Sequence, residues 1–425
     1  MLNANGEREL VYVVRVEEIR PLEGYDRVEY ARIGAGWWIV VRKDQFKPGD
    51  LAIYFEIDSR VPAEEPFMFL EPKKFKIKTQ KMCRVISQGL LMSADDFGWV
   101  VDDADGTIII PPEKFGSSTV LNEGDFLTKR LKVTYADDED NVRKAPSSDS
   151  YRSMQDRHKK VFKTKFGKWM MKREWGRKVM FFFFGKKKEK KTDWPSWVKK
   201  TDEERIQNMP WLFPNCETEW IATEKIDGTS TTFTMRNDKK KKLIVCSRNV
   251  VYNAPEKEER NFYKDTEGNV YLEMAKKYNM QKVLEDMILL YGSTLKTSVP
   301  YQKGWGKLEY ITIQGETYGG NIQKRNYCPD HRLAVFNVIF GYENFKFRLN
   351  PVAGKSMVEQ YGLEYVPVVE VGVHLPATCD DVIAMAHGDS AIDGNLREGL
   401  VFRSLDGEQS FKAVDPEFLL KYHSN

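Results

Sequence analysis

The run Glu224-Lys225-Ile226-Asp227-Gly228-Thr229-Ser230 is the part of the chain best suited to covalent chemistry. It stands between two apolar, strand-like stretches, Trp220-Ile221-Ala222 and Thr231-Thr232-Phe233. A lysine at a strand end beside a glycine turn can project into a pocket that holds a phosphate. Gly228 lets the backbone approach a nucleotide closely. A free lysine has a pKa of roughly 10.4, so an attacking amine needs help from its surroundings. Cationic neighbours would lower that value, as would a metal whose bound waters crowd the amine, and Asp227 could orient the side chain. Taken alone, Lys-x-Asp-Gly is also the pattern of an ordinary surface turn.

Further groups follow in order. Cys246-Ser247-Arg248-Asn249 closes the next strand with a guanidinium in reach of a phosphate or ribose. Ile311-Thr312-Ile313-Gln314-Gly315-Glu316 sets a carboxylate just past a buried strand, and Leu333-Ala334-Val335-Phe336 offers a ring that can stack on a base. Glu398 opens the strand-like run Gly399–Arg403, and Ser410-Phe411-Lys412-Ala413-Val414 supplies a last lysine. Each piece singly reads equally well as strand-end polarity or core packing.

The elements that must position these groups fall into three stretches. Residues 1–135 open with short strands between turns: Val11–Val16, Val28–Ile33, Trp37–Val41 after Gly34-Ala35-Gly36, Leu51–Phe55 after Pro48-Gly49-Asp50, and Cys83–Ile86. That spacing fits a small Greek-key barrel, an OB fold first and an SH3-like barrel second. The adjacent Trp37 and Trp38 read as anchors of that barrel. Residues 136–200 form a basic, aromatic-rich insert. Here Phe162, Phe166, Trp169 and Met170 share one face of a possible helix. Residues 201–425 alternate strand-like runs with two helix candidates, Val270 to Tyr291 and one capped by Asn350-Pro351 that ends near Gly362.

The total charge of +3 is unevenly spread. Between Arg157 and Lys200 stand 17 Lys/Arg against Glu174, Glu189 and Asp193, a local charge of +14 that leaves −11 on the rest. Such a segment suits a polyanion. Trp169, Trp175 and Phe181 among the lysines would hold a single strand by stacking; a solvated linker and a membrane-surface helix are the other readings. Five cysteines without CxxC spacing point to reduced thiols and no structural zinc. The start has no apolar signal core, and Val179–Phe184 is too short to span a bilayer, so the expected address is intracellular, cytoplasmic first. The five histidines lack ligand spacing, and Ala353-Gly354-Lys355-Ser356 lacks the glycine a phosphate-binding loop needs at Leu349.

The order Lys-x-Asp-Gly, Ser-Arg-Asn, Gly-Glu-x-x-Gly, Phe-Asn-Val, Glu-Gly-Leu-Val-Phe and Phe-Lys resembles the covalent nucleotidyltransferase superfamily of ligases and capping enzymes. More narrowly, it is similar to ATP-dependent RNA ligases with an N-terminal OB domain, the Deinococcus and Naegleria type. The phrase Lys200–Asn208 also resembles that group. The resemblance covers residues 1–135 and 195–425 and leaves the basic insert unexplained. It implies an α+β chain: an OB-like barrel that binds RNA, then an adenylyltransferase domain (ATP-grasp-like, of antiparallel sheets and helices).

It also implies roles. Lys225 would take AMP from ATP and pass it to an RNA 5′-phosphate, which a 3′-OH then attacks. Arg248 would hold a phosphate or ribose, Glu316 the ribose hydroxyls, and Phe336 the adenine, with Thr223, Glu224 and Gly228 bordering the nucleotide. Glu398 would help hold magnesium or manganese, and Lys412 would stabilise charge on the α-phosphate. Many relatives carry two lysines in the last motif, whereas here Lys412 is single. Only Asp415 to Asn425 follow it, where DNA ligases and capping enzymes continue into a further OB domain. The expected substrate is therefore RNA, as nicked duplexes or free ends, handled by a monomer. A DNA ligase with reversed domain order and a non-catalytic RNA-binding protein of this fold remain the alternatives.

Overall fold

The computed structural model describes residues 8–102, 104–112, 117–136, 159–162, 164–173, 175–177, 179–180, 194–213, 217–253, 269–292 and 304–422. The acidic run 137–140, the serines at 147–150 and the phenylalanines 181–184 lie outside the described residues.

The main N-terminal strands are β1 (Val11–Leu22), β2 (Tyr25–Ile33), β3 (Trp37–Arg42), β4 (Leu51–Phe55) and β5 (Leu90–Met92). They form one curled sheet in the order β3-β2-β1-β4-β5. β1 pairs with β4 through Val11–Arg15 and with β2 from Val16 onward, and an irregular step between Val16 and Glu18 lets it turn from one partner to the other. Both faces of β1 are buried, which explains its unbroken apolar start. Val11 and Val13 join a core with Ile53, Phe55 and Ile108, while Tyr12, Val14 and Val16 join one with Trp37, Ile39 and Tyr54. Trp37 is in that core as expected, and Trp38 stacks on Tyr30 at 4.7 Å. The run expected as a strand at Cys83–Ile86 is instead a hairpin turn. Cys83 and Arg84 both have positive φ, and they link Gln80–Met82 to Val85–Ser87.

The C-terminal part holds two sheets. One contains β6 (Glu204–Arg205), β7 (Trp220–Lys225), β15 (Val368–Val373), β16 (Gly399–Ser404) and β17 (Ser410–Val414), in the order β6-β17-β16-β7-β15. The other contains β8 (Thr229–Arg236), β9 (Leu243–Cys246), β10 (Val251–Asn253), β11 (Leu308–Tyr318), β12 (Arg332–Tyr342), β13 (Lys346–Arg348) and β14 (Glu364–Tyr365). Its order is β10-β9-β8-β11-β12-β13, with β14 beside β12. Pairing is antiparallel except for β6 with β17 and β14 with β12. The larger sheet buries Phe233, Ile311, Ile313, Val338 and Phe340 against helices α1 (Val270–Lys277), α2 (Met280–Gly292) and α3 (Pro351–Glu359).

The expected single helix from Val270 to Tyr291 is two, because Asn279 sits at φ 47 between them. The Asn350 cap is present: its side chain accepts from the Ala353 N–H at 2.9 Å. Gly354-Lys355-Ser356 lies within α3, away from any phosphate-loop geometry.

The curled N-terminal sheet packs on the C-terminal part. Arg32 pairs with Asp380 at 2.7 Å, Lys81 donates to the Leu420 carbonyl at 2.7 Å, and Ile86 joins Val414 and Leu419 in a small apolar cluster.

The segment 136–192 forms a separate compact unit. Its described part includes two short helices, Lys159–Phe162 and Lys165–Met171, the second capped by Thr164 accepting from Gly167 N–H at 3.0 Å. The expected single apolar face is thus split between two helices. Phe162, Met170 and Met180 pack together, and Trp169 is exposed with the Arg173 guanidinium 4.1 Å above its ring. Among the described residues no helix is long and apolar enough to cross a membrane.

Candidate active site

Strand register assembles the site. β7 runs antiparallel to β16 with Lys225 opposite Gly399 and Glu224 opposite Leu400, so Glu398, one residue before Gly399, arrives beside the Lys225 amine. The Nζ–Oε2 distance is 2.6 Å. β16 then sets Val401 opposite Lys412 on β17, and β6 sets Arg205 opposite Lys412 from the far side. In the other sheet Ser230 stands opposite Glu316, which lies within β11 rather than past its end as expected. The strand continues because Gly315 admits the Ala334 carbonyl at a distance that no side chain would allow.

The turn Ile226-Asp227-Gly228 joins the two sheets. A Cβ on Gly228 would run into the Thr317 carbonyl, so this close approach of turn and strand requires glycine. The turn is also tied from outside: Asp227 N–H donates to the Tyr327 hydroxyl at 3.1 Å, and Gln323 Nε2 donates to the Gly228 carbonyl at 3.2 Å.

Between the sheets lies a cleft of about 270 Å³ whose wall includes Thr223, Glu224, Lys225, Gly228, Arg248, Glu316, Phe336, Glu398 and Lys412. Every residue expected from the sequence is therefore in one place, although they span 190 positions of chain from Thr223 to Lys412. Asp202, Glu203 and Arg403 share the wall and were missed as site groups. The first two had a signal in the phrase Lys200–Asn208; Arg403 looked like an ordinary strand residue.

Arg403 is 2% exposed and lies under the cleft, 5.8 Å from the Phe336 ring centre. It donates to Glu203 Oε1 at 3.2 Å and contacts the Thr223 hydroxyl at 3.5 Å. The side chains of Thr223 and Glu224 are committed to the protein. Thr223 donates to the Val401 carbonyl at 3.1 Å, and the Glu224 carboxylate accepts from Ser390 Oγ at 2.5 Å and Ala391 N–H at 2.9 Å.

The electrostatics of the two lysines differ. Burial pulls the Lys225 pKa down, but Glu398, with Glu316 and Asp227 behind it, outweighs burial and leaves the amine above its ordinary value. The neighbours are carboxylates, not the cations expected to depress it. For Lys412 burial dominates, Arg205 and Lys225 add repulsion, and the pair with Asp202 at 3.2 Å only partly offsets them, so its pKa is lowered. Burial and the neighbouring Glu398 charge also push Glu316 up to about 8 and Asp227 up to about 6.

Three acidic groups thus crowd one amine. Glu398 Oε2 is buried, 2.6 Å from the Lys225 ammonium. Hard oxygen donors with surplus negative charge fit a divalent cation. Among the described residues no group of three His, Cys, Asp or Glu side chains converges as direct metal ligands.

An RNA ligase family model matches residues 218–423, and an OB-fold domain model matches residues 10–94. No curated protein sequence matches the chain. Among solved structures, the chain is similar to Naegleria gruberi RNA ligase with pyrophosphate, at 22% identity and a TM-score of 0.60, covering 99% of this chain and 100% of that one. It is similar at 22% identity and a TM-score of 0.61 to a lysine-to-alanine variant of that ligase with ATP and Mn, covering 98% and 99%. A glutamate-to-alanine variant with AMP and Mn gives the same figures, 22%, 0.61, 98% and 99%. At this identity the likeness establishes the fold, a curled N-terminal OB sheet followed by a sheet-and-helix ligase domain. The segment matched by the RNA ligase model, 218–423, carries Lys225 and Lys412 on strands of the cleft and Glu398 at the residue before the strand between them.

Proposed function

We propose that this chain is an RNA ligase that takes AMP from ATP onto Lys225 and uses it to join a 3′-OH to a 5′-phosphate at nicks in RNA duplexes. The observation that carries this is the convergence of Lys225, Glu398, Lys412, Arg248, Glu316 and Phe336 on one cleft. Binding alone needs no buried amine set among carboxylates. Naegleria structures that hold ATP or AMP with Mn support the choice of nucleotide and of a divalent metal.

In the first step the Lys225 amine attacks the α-phosphorus. An N–P bond forms, the bond to the pyrophosphate oxygen breaks, and the amine loses its proton. Glu398 Oε2, 2.6 Å from Nζ, is placed to receive it. A divalent metal held by Glu398 would offset phosphate charge and weaken the grip of the carboxylates on the Lys225 proton. Lys412 meets charge on the α-phosphate, Arg248 meets the outer phosphates or ribose, Glu316 takes the ribose hydroxyls, and Phe336 stacks on adenine. AMP then passes to the RNA 5′-phosphate, and attack by the 3′-OH releases it. The curled N-terminal sheet, fixed to the ligase part by Arg32–Asp380, is suited to clamp the duplex.

The test is incubation with magnesium and α-labelled ATP followed by denaturing electrophoresis. Acid-labile label on wild type and none on Lys225→Ala is expected; label that survives the substitution sinks the assignment. Nicks with RNA or DNA at the 3′-OH side separate RNA ligase from DNA ligase.

A further inference from the structure

Asp202 is not among the groups that the adenylylation mechanism uses, yet it sits at the charged centre of the cleft. Its Oδ1 lies 3.2 Å from Lys412 Nζ, and its Oδ2 lies 3.0 Å from Arg248 Nη2. These are the cations assigned above to the α-phosphate and to the outer phosphates or ribose. One carboxylate thus takes both with one oxygen each, as two oxygens of a phosphate group would.

The carboxylate is located from the other side as well. The Tyr135 hydroxyl donates to Oδ2 at 3.0 Å, and Arg8 lies 4.8 Å over the Tyr135 ring. Arg8 in turn lies 3.5 Å from Glu56 and 3.9 Å from Glu204. Burial disfavours the charged form of Asp202, but Lys412 and then Arg248 outweigh it and hold the carboxyl well below the usual carboxylate range. The group is an anion throughout the working pH range of such an enzyme. Half of the Arg248 side chain and a third of that of Asp202 are exposed, so water and incoming anions reach this contact.

We infer that Asp202 is a built-in competitor of the triphosphate: it holds Lys412 and Arg248, and nucleotide or pyrophosphate must take at least one of them from it. The inference rests on the nucleotide-binding reading of the cleft. Three consequences follow from the geometry. Asp202 keeps two like-charged side chains together that would otherwise repel. It raises the concentration of phosphate ligand needed to occupy the site. It also favours release of pyrophosphate after adenylylation, because the cations regain a partner as the product leaves.

A fixed positioning residue would produce the opposite sign on neutralisation, which makes the experiment decisive. Inorganic pyrophosphate is titrated calorimetrically, with magnesium at constant ionic strength, into the full chain as Lys225→Ala and as Lys225→Ala with Asp202→Asn. Asparagine keeps the shape and removes the charge. A competitor predicts pyrophosphate binding tighter by about tenfold, the order of one charge-assisted hydrogen bond no longer displaced. With Lys225 intact, Asp202→Asn should lower the KM for ATP in the labelling assay. Tyr135→Phe, which removes the hydroxyl that anchors Oδ2, should move both quantities the same way by less, and it serves if the asparagine variant does not fold. Unchanged or weaker pyrophosphate binding in these variants overturns the proposal and makes Asp202 a permanent support. Failure of wild type to label Lys225 would instead remove the adenylylation reading, while the pyrophosphate titration still reports whether Asp202 competes with an anion.

Discussion

Lys225 and Lys412 occupy two corners of one cleft, each against a carboxylate, yet the surroundings bias them in opposite directions. At the Lys225 corner burial is outweighed by Glu398, Glu316 and Asp227, and the proton is held firmly. At the Lys412 corner burial, Arg205 and Lys225 outweigh Asp202, and the proton is held less firmly. A shared cleft and similar burial therefore do not define a role; the count and sign of neighbouring charges do. The first corner suits a nucleophile to be released when positive charge arrives. The second suits a cation that exchanges one anion for another.

The sharpest way to break this division is Lys225→Ala, which should cut formation of the protein–AMP adduct by at least about 10⁴-fold in a single-turnover labelling assay. Comparable loss from Lys412→Ala would make the two corners equivalent. The expected loss there is smaller, roughly 10²- to 10³-fold in rate, the usual effect of deleting one group that meets transition-state charge. At the first corner, Glu398→Gln should raise the magnesium needed for half-maximal labelling by about tenfold or more. An unchanged metal titration would separate Glu398 from the cation. The smallest effect belongs to the nucleotide's far end: Phe336→Ala should raise the KM for ATP by roughly five- to tenfold through lost stacking, with little change in the limiting rate.

Legibility varied with how local each feature is. β4 matches its expected bounds and β3 and β16 run one residue beyond theirs, because apolar runs ended by polar residues or turns define a strand within a few positions. The split at Asn279 and the turn at Cys83-Arg84 depend on left-handed backbone at residues other than glycine, which carry only a weak sequence signature. The sequence sets Glu316 just past its strand, whereas it lies within β11. In the fold Gly315 is what lets β11 pass close to β12. The basic insert remains legible mainly as composition: Trp169 is exposed over a cationic neighbour, which suits stacking without specifying a ligand.

The sequence by itself determined which residues are candidates for the chemistry, because a lysine, its glycine turn and the later acidic and basic groups appear in a characteristic order. It also determined that an OB-like sheet precedes a mixed sheet-and-helix ligase domain. Only the tertiary structure decided the charges that each group meets. Lys225 faces Glu398 through the register of β7 on β16, and Lys412 meets Asp202 across 210 positions of chain. Proton affinity depends on separations of a few ångströms, and those are set by strand register and packing, which no local run of residues encodes.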